Sequence, residues 1–331
     1  MMQAPIALDA MGGDRMPDAA IDGAMAAARE GVPVVLVGDE ATLRAGLRER
    51  GGELDVVHAG DVIGMDEHAA EVRRRRDSSV NVAAQLVADG HASALVSMGH
   101  SGATMAAALF TLRRAPGVER PAIVANVPSR RGPVALLDVG ANADCRPTML
   151  QQFAVMGSLY ARQVQGREDP SVGLVSIGEE PSKGNELARA VHPLLTETPG
   201  IRFHGNVEGR DLLAGTVDVM VTDGFTGNVM LKLAEGEARV LFEWIREALG
   251  SDLRSRLGAL MARPALRSVA TRLDPAEYGA QLLLGVGAPA FIGHGSSDAR
   301  AVRSALAFAR TTVEERVVER IADELARADA A

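Results

Sequence analysis

Polar residues set among glycines follow five short apolar runs in this 331-residue chain. Segments of this kind present backbone N–H groups and hydroxyls at helix N-termini, and such groups bind phosphate and other anions. One segment alone would be an ordinary strand-to-helix turn, but five together predict a functional cleft. The five segments are Asp9–Asp14, Met98–Thr104, Asp138–Asn142, Gly178–Asn185 and Thr222–Asn228.

Lysine is scarce, which makes the two lysines of the chain candidates for a chemical role. Among 35 basic residues, only Lys183 and Lys232 are not arginine. A GC-rich genome explains the general bias, and residues that persist against it are more often needed. Either ammonium group could balance the charge of an anion bound at the glycine-containing segments.

The five segments lie between apolar runs and amphipathic stretches that alternate along the chain. The runs predict strands, and apolar positions three or four residues apart predict the helices between them. The alternation predicts a mostly parallel sheet with helices on both faces, which binds ligands beyond the carboxyl ends of its strands. Strands are predicted at 6–8, 32–37, 54–57, 92–97, 122–127, 134–137, 172–177, 217–221 and 290–292, and helices at 18–30, 40–50, 80–89, 102–112, 147–163, 185–195 and 228–248.

A segment of different character lies at about 242–273 and predicts two amphipathic helices that break at Pro264. Their shared apolar face has two interpretations. It packs on the core or across a dimer interface, or it rests on lipid, since apolar helices flanked by arginine bind anionic bilayers. The residues of this face are Leu253, Leu257, Leu260 and Met261, with Leu266 beyond the proline.

Composition argues against several classes of protein. The net charge of −8 and the 3% of aromatic residues argue against a nucleic-acid binder. One cysteine, Cys145, excludes a disulfide framework and is expected to be a small buried side chain. No apolar run reaches the length of a membrane span and no secretion signal is read, so the expected location is the cytoplasm. Neither a metal site nor a cofactor is expected.

Two further patterns carry competing interpretations. Gly285–Ala290 imitates a dinucleotide-binding glycine pattern, but Pro289 stands where the required helix would begin. Gly99–Ala103 imitates the nucleophile elbow of serine hydrolases, although Ala103 stands where the elbow needs glycine. A serine thioesterase or hydrolase built on Ser101, Asp223 and His294 is therefore the alternative function.

Longer motifs resemble the PlsX family, the phosphate acyltransferases of bacterial phospholipid synthesis, from Ile6 to about Ala309. One position departs from the family pattern, because His100 stands where the family usually has asparagine. The motifs are IALDAMGGD at 6–14, LLDVGANADC at 136–145, IGEE with KG at 177–184, GNVEG at 205–209 and DGFTGNV with LK at 223–232.

The resemblance implies a three-layer α/β/α sandwich like that of phosphotransacetylases and isopropylmalate dehydrogenases. It implies one catalytic domain over 1–331, or two sub-lobes, with a protruding helical pair and assembly as a homodimer. The implied reaction moves a long-chain acyl group from acyl carrier protein to inorganic phosphate. The acyl phosphate then serves a membrane glycerol-phosphate acyltransferase on the way to phosphatidic acid, which favours peripheral attachment to the membrane.

The implied chemistry agrees with the residues of the five segments. The second pKa of phosphate groups is about 6, so much inorganic phosphate is dianionic near neutral pH and can attack a thioester without a Ser–His pair. The protein must then position phosphate and stabilise the oxyanion. The catalytic candidates are Ser101 as a hydrogen-bond donor to phosphate, Lys183 as a charge that balances phosphate or the oxyanion, Asn228 as a donor to the oxyanion or to phosphate, and His294 as an acid for the leaving thiolate. The candidate substrate-binding residues are Asp9, Gly12, Gly13, Gly102, Thr104, Asn142, Glu179, Asn185, Asn206, Glu208, Asp223, Gly224, Gly227 and Lys232.

The densest run of charge, Arg73–Arg76, also has two interpretations. It is a solvated helix face, or it is a docking patch for an acidic partner such as acyl carrier protein, since complementary charge steers encounter.

Overall fold

Eleven strands form one sheet in the structure, a computed structural model that describes residues 4–272 and 274–329. The sheet order is β3-β2-β1-β4-β11-β10-β5-β6-β9-β7-β8. The strands are β1 Ile6–Asp9, β2 Val34–Gly38, β3 Asp55–His58, β4 Ala94–Ser97, β5 Ala122–Val127, β6 Val134–Leu137, β7 Ser171–Val175, β8 Arg202–Val207, β9 Val219–Val221, β10 Ala280–Leu284 and β11 Ala290–Gly293.

Helices cover both faces of this sheet, as the sequence predicted. They are α1 Asp18–Arg29, α2 Glu40–Glu49, α3 Ser79–Ala88, α4 Ser101–Ala107, α5 Pro147–Gln163, α6 Glu186–Glu197, α7 Gly209–Ala214, α8 Gly224–Gly250, α9 Leu253–Arg272, α10 Ala299–Glu314 and α11 Val317–Asp329. A π-helical turn, Ala108–Leu112, extends α4, and 3-10 turns lie at Ala69–Arg73 and Pro275–Glu277.

The alternation of side chains along each strand separates two apolar cores. In β1, Ile6 and Leu8 point into the core beneath α1, α2, α5, α6, α10 and α11, while Ala7 points into the core beneath α3, α4, α7 and the start of α8. Both faces of the central strands are buried, so the strands are continuously apolar. The three-layer α/β/α prediction is confirmed.

Strand direction reverses in the middle of the sheet. β3, β2, β1, β4 and β11 are parallel, whereas β10 is antiparallel to both β11 and β5. β5 is in turn antiparallel to β6, which begins the parallel group β6, β9, β7 and β8. The carboxyl ends of the first group therefore lie at one edge of the sheet, and those of the second group at the opposite edge.

This reversal corrects the expectation that all five glycine-containing segments share one edge. The segments after β1 and β4 lie at the first edge, and those after β6, β7 and β9 lie at the second. The strand that causes the reversal, β10, was not among the predicted strands; it directly precedes the imitation glycine pattern at 285–290. β8 and helices α7, α10 and α11 were also missed.

The protruding helical pair is present, but the predicted break is in the wrong place. α8 ends at Gly250 and α9 begins at Leu253, and Pro264 lies inside α9. Asp252 causes the break, because its carboxylate accepts a hydrogen bond from the Ser255 N–H at 2.9 Å, as an N-cap does. α9 packs against α8 and is otherwise exposed, so water can satisfy the carbonyl that Pro264 leaves unpaired. Leu273 of the predicted pair lies outside the described residues.

None of the described helices is long and apolar enough to cross a bilayer. The interpretation of residues 1–331 as one catalytic domain stays a prediction.

Candidate active site

At the first edge, Asp9 organises the loop that follows β1. Its buried carboxylate accepts hydrogen bonds from the N–H groups of Met11 and Gly12 at 3.3 and 3.2 Å. The Ser97 hydroxyl donates to the same carboxylate at 2.7 Å and accepts from the Gly99 N–H at 3.1 Å. Asp9 therefore joins the loops after β1 and β4, and both of its carboxylate oxygens accept hydrogen bonds from the protein.

Two glycines let these loops approach each other. A Cβ on Gly12 would lie 2.9 Å from the Gly99 Cα, so no larger residue fits there. Gly13 has φ of +116°, and the next residue, Asp14, donates its N–H to the Gly295 carbonyl at 2.8 Å. The loop that carries His294 therefore joins the loops after β1 and β4.

His100 takes the place of an ordinary N-cap at the start of α4. Its Nδ1 accepts a hydrogen bond from the Ala103 N–H at 3.2 Å, as the oxygen of an asparagine amide could. Ser101 is exposed at the first position of the helix. Thr104 is buried and its hydroxyl donates to the His100 carbonyl at 3.2 Å, so Ser101 is exposed and Gly102 half-buried at this helix start.

At the second edge, Asp138 holds the loop that follows β6. Its buried carboxylate accepts hydrogen bonds from the N–H groups of Ile123, Gly140, Ala141 and Asn142 at 2.7 to 3.2 Å. Burial raises its pKa, and the hydrogen bonds oppose that effect. The Asn142 amide donates to Asp138 and to the Pro121 carbonyl, so Asn142 supports the loop.

The first turn of α8 lies directly against this loop. The Gly224 N–H donates to the Asn142 carbonyl at 2.7 Å, and a Cβ on Gly227 would lie 2.0 Å from the Asp138 carbonyl oxygen. Asp223 caps the helix by accepting from the Thr226 N–H at 2.8 Å. Asn228 is exposed beside Gly140, and its amide makes no hydrogen bond with any described residue.

Lys183 is the exposed cation of the loop after β7, the strand next to β9. Its ammonium makes no ion pair with any residue of 4–272 or 274–329. The other candidates nearby already have partners. Asn185 caps α6, Asn206 is buried between His192 and the Glu180 carbonyl, and Glu179 and Glu208 both pair with Arg210.

Helix α8 connects the two edges. Lys232 follows Asn228 by one turn, about 6 Å along the axis at 1.5 Å per residue. Its ammonium donates to Glu235 at 2.8 Å and lies 3.4 Å from His294 Nδ1. His294 Nε2 lies 3.5 Å from the other oxygen of Glu235. The tautomer with the proton on Nε2 makes both contacts, so Lys232, Glu235 and His294 form one closed cluster.

The alternative triad is not assembled. His294 contacts Glu235 and Lys232, and Asp223 contacts Thr222 and Thr226. No hydrogen bond joins Ser101, Asp223 and His294, all three of which the structure describes. Cys145 is no substitute nucleophile, because burial raises the pKa of its thiol to about 12.

Sequence reasoning missed three residues that build the site. Asp138 and Ser97 could have been found from the sequence, because each is a polar residue at the end of an apolar run, directly before a glycine-containing segment. Glu235 had only its spacing of three residues from Lys232, which predicts an ordinary surface pair. Its contact with His294 depends on tertiary structure that no spacing reveals.

The fold is a three-layer α/β/α sandwich in which two groups of glycine-containing loops lie at opposite edges of the sheet. Solved structures share the fold alone. A phosphotransacetylase from Streptococcus pyogenes has a TM-score of 0.65 at 17% identity over 96% of this chain and 94% of its own. A 4-hydroxythreonine-4-phosphate dehydrogenase from Klebsiella pneumoniae has a TM-score of 0.57 at 14% identity, over 94% of this chain and all (100%) of its own.

Sequence comparison gives the family. A family model described as "Fatty acid synthesis protein" matches residues 4–320. A protein of Thermus thermophilus named phosphate acyltransferase is 59% identical over 97% of this chain and 98% of its own length. One of the same name from Deinococcus radiodurans is 54% identical over 82% and 77%. The chain belongs to this family, the PlsX family, and is an acyltransferase.

Substitution of Glu235 by glutamine should change the pH dependence of stability. Burial raises the pKa of Glu235, but hydrogen bonds from His294 and Lys232 outweigh burial and hold it at about 2, against an ordinary 4.5. A lowered carboxylate pKa stabilises the fold fully above about pH 4.5 and loses that effect as the pH falls toward 2. Urea unfolding should therefore show the variant less stable at neutral pH, by a difference that narrows below about pH 4.5.

The control is Glu243→Gln, an exposed position further along the same helix. It should change stability little at any pH. A Glu235→Gln difference that stays constant from neutral pH to about pH 2 would contradict the account.

Proposed function

We propose that the protein transfers a long-chain acyl group from acyl carrier protein to inorganic phosphate, giving acyl phosphate for phospholipid synthesis. One observation carries the proposal. Asn228 and Lys183 offer unpaired donors beside glycine-lined loops, while the hydroxyl, imidazole and carboxylate of a hydrolase triad are not joined. A site with donors and without an activated nucleophile suits an acceptor that is already an anion. The names of the relatives point to the same acceptor.

The proposed reaction is a direct displacement. A phosphate oxygen attacks the thioester carbonyl carbon and forms a C–O bond, and the carbonyl oxygen becomes an oxyanion. The C–S bond then breaks, the carbonyl reforms, and the carrier thiolate leaves and takes a proton from solvent or His294. No covalent acyl-enzyme forms, and no metal or cofactor is required.

The candidate residues form two groups, one that binds phosphate and one that stabilises the oxyanion formed from the thioester. Exposed Ser101 and the N–H groups at the start of α4, with Lys232 nearby through the His294 loop, hold phosphate at the first edge. Asn228 and Lys183 at the second edge stabilise the oxyanion. The glycines and Asp9, Asn142 and Asp223 keep the loops in place.

Removal of either unpaired donor should slow transfer without unfolding the protein. Lys183→Ala and Asn228→Ala should each lower kcat/KM about 10- to 1000-fold, the range for loss of one oxyanion donor. Melting temperature should stay within about 2 °C because neither side chain pairs with any of the residues that the structure describes. Cys145→Ser is the matched control and should keep full turnover. Loss of activity in Cys145→Ser with retention in both donor variants would refute direct attack.

The arginine run supports the carrier as acyl donor, but its members are not equivalent. Arg75 points inward, with hydrogen bonds to Glu67 at 2.7 Å and to Asp61. It lowers the pKa of the Asp61 carboxyl, and the Gly64 N–H together with Arg75 lowers the pKa of the Glu67 carboxyl. Arg73 is exposed and lies 4.4 Å from the centre of the Phe110 ring. Arg76 is exposed as well. The docking patch we propose is therefore Arg73, Arg74 and Arg76, without Arg75.

Salt should weaken binding of an acidic carrier through this patch. For the parent protein, KM for the acyl carrier should rise with ionic strength while kcat stays constant. Arg73→Ala combined with Arg76→Ala should raise KM at low salt and flatten the salt dependence. Arg29→Ala, at an exposed arginine on α1, should leave the slope unchanged. A KM of the parent that does not respond to salt would exclude the patch.

We further propose that the enzyme works in the cytoplasm as a homodimer that rests on the membrane. Leu253, Leu257, Leu260 and Met261 on α9 are 60% to 86% exposed, as a lipid-facing surface requires. A separate stripe on α8 is exposed at Phe225, Val229 and Leu233, at 51% to 67%, and suits a second copy of the chain. Attachment to the membrane places acyl phosphate next to a membrane glycerol-phosphate acyltransferase.

Charge substitutions should separate these two surfaces. Leu257→Glu with Met261→Glu should abolish pelleting with anionic liposomes and keep the oligomeric state seen by sedimentation. Leu233→Glu should keep pelleting with anionic liposomes and shift the sedimentation coefficient toward that of a monomer. Unchanged pelleting of the α9 variant would refute the lipid surface, and an unchanged sedimentation coefficient of the α8 variant would refute the dimer stripe.

A further inference from the structure

An apolar cavity of about 220 Å³ lies under α8 at the first edge of the sheet. Its walls come from the carboxyl end of β5, from β10 and β11, and from the side of α8 that faces the sheet. Its apolar lining includes Val124, Val127, Leu231 and Ile292, together with Phe308 of α10. No residue of this cavity was a candidate in the sequence except His294.

The cavity begins where the proposed reaction site ends. Glu235 and His294 line it, and they belong to the cluster that Lys232 closes. The His294 loop also contacts the loop after β1, because Asp14 donates to the Gly295 carbonyl. On α8, Asn228 lies at the second edge and Leu241 lines the far part of the cavity, about 20 Å further along the axis.

The carboxylates of Glu235 and Asp274 at the cavity wall are paired with basic groups, whereas Glu237 is exposed to water and makes no ion pair with a described residue. Both oxygens of Glu235 face a basic group, Lys232 at 2.8 Å and His294 at 3.5 Å. The Asn126 amide is occupied by Tyr160 and Gln165. The paired groups therefore place no unpaired charge against an apolar occupant, which would lose affinity if they did.

We propose that this cavity holds the hydrocarbon chain of the acyl substrate, with the thioester just beyond its Lys232–Glu235–His294 end, on the side of Asn228. The assignment rests on the proposed function for the identity of the substrate. The chain would enter past α8, where Leu241 is half exposed, and would lie along Leu231 and Ala238. Cavity length rather than a polar contact then sets the preferred chain length.

Filling the cavity should select for short chains. Ala238 is half-buried and lines the cavity, and leucine keeps the helix propensity of the site. Ala238→Leu should lower kcat/KM for hexadecanoyl-carrier thioester about tenfold, the effect of excluding about two methylene groups, and keep that for octanoyl-carrier within about twofold. Ala248→Leu, an exposed position on the same helix, is the control and should change neither value.

A second measurement does not depend on turnover. Hexadecanoic acid with a photoreactive diazirine at the chain end should label peptides containing Val124–Pro128 or Phe308, and Ala238→Leu should reduce that labelling. Labelling confined to α9, or equal effects of Ala238→Leu on both chain lengths, would overturn the assignment. So would dissociation of a dimer by Ala238→Leu, which would mean that a second copy fills the cavity. A parent protein that is labelled in the cavity but makes no acyl phosphate would refute the proposed function and keep the cavity assignment.

Discussion

The close approach of α8 to the loop after β6 fixes the position of most of the site. Gly227 and Gly224 allow it, because a Cβ at either position would lie within 2.6 Å of a backbone carbonyl oxygen of Asp138 or Asn142. Asp138 in turn holds that loop through its N–H donors. Once this contact is made, the helix direction sets where Asn228, Lys232 and Glu235 lie.

The reversal of strand direction gives this contact its functional meaning. Loops at opposite edges of a sheet do not meet by themselves, and the two groups of glycine loops lie at opposite edges. α8 starts at one edge and reaches His294 at the other within about two turns. In a fully parallel sheet, all these loops would lie at one edge. Here the long helix α8 connects the loops of the two edges instead. The proposed site therefore spreads its donors along α8, which suits the extended acyl substrate proposed above.

Much of the fold could be predicted from the sequence because its strands are buried on both faces. The runs at 122–127 and 134–137 became β5 and β6 with the predicted bounds. β10, which directly precedes the imitation glycine pattern at 285–290, was not among the predicted strands, and with it the reversal was missed. The helix break was predicted at Pro264 but lies at the Asp252 cap. A proline can stay inside α9 because this helix is exposed and water reaches the unpaired carbonyl, which the local sequence does not reveal.

The loops at the strand ends could be predicted from the sequence, but the contacts of each residue in them could not. Glycine and asparagine beside apolar runs marked segments that directly follow β1, β4, β6, β7 and β9, and the scarcity of lysine singled out Lys183 and Lys232. An asparagine that caps a helix and an asparagine that binds a ligand look alike in sequence. The sequence therefore could not show which polar side chains make hydrogen bonds within the protein, as those of Asn142, Asn185, Asn206 and Asp223 do. It also could not show that Glu235 neutralises the cluster beside His294.

The most direct test of the account measures the products of acyl carrier thioester turnover with and without inorganic phosphate. The account predicts acyl phosphate that forms only when phosphate is present, with carrier thiol released in equal amount and little free fatty acid. Release of free fatty acid at the same rate without phosphate, abolished by Ser101→Ala, would contradict it and would identify water as the acceptor.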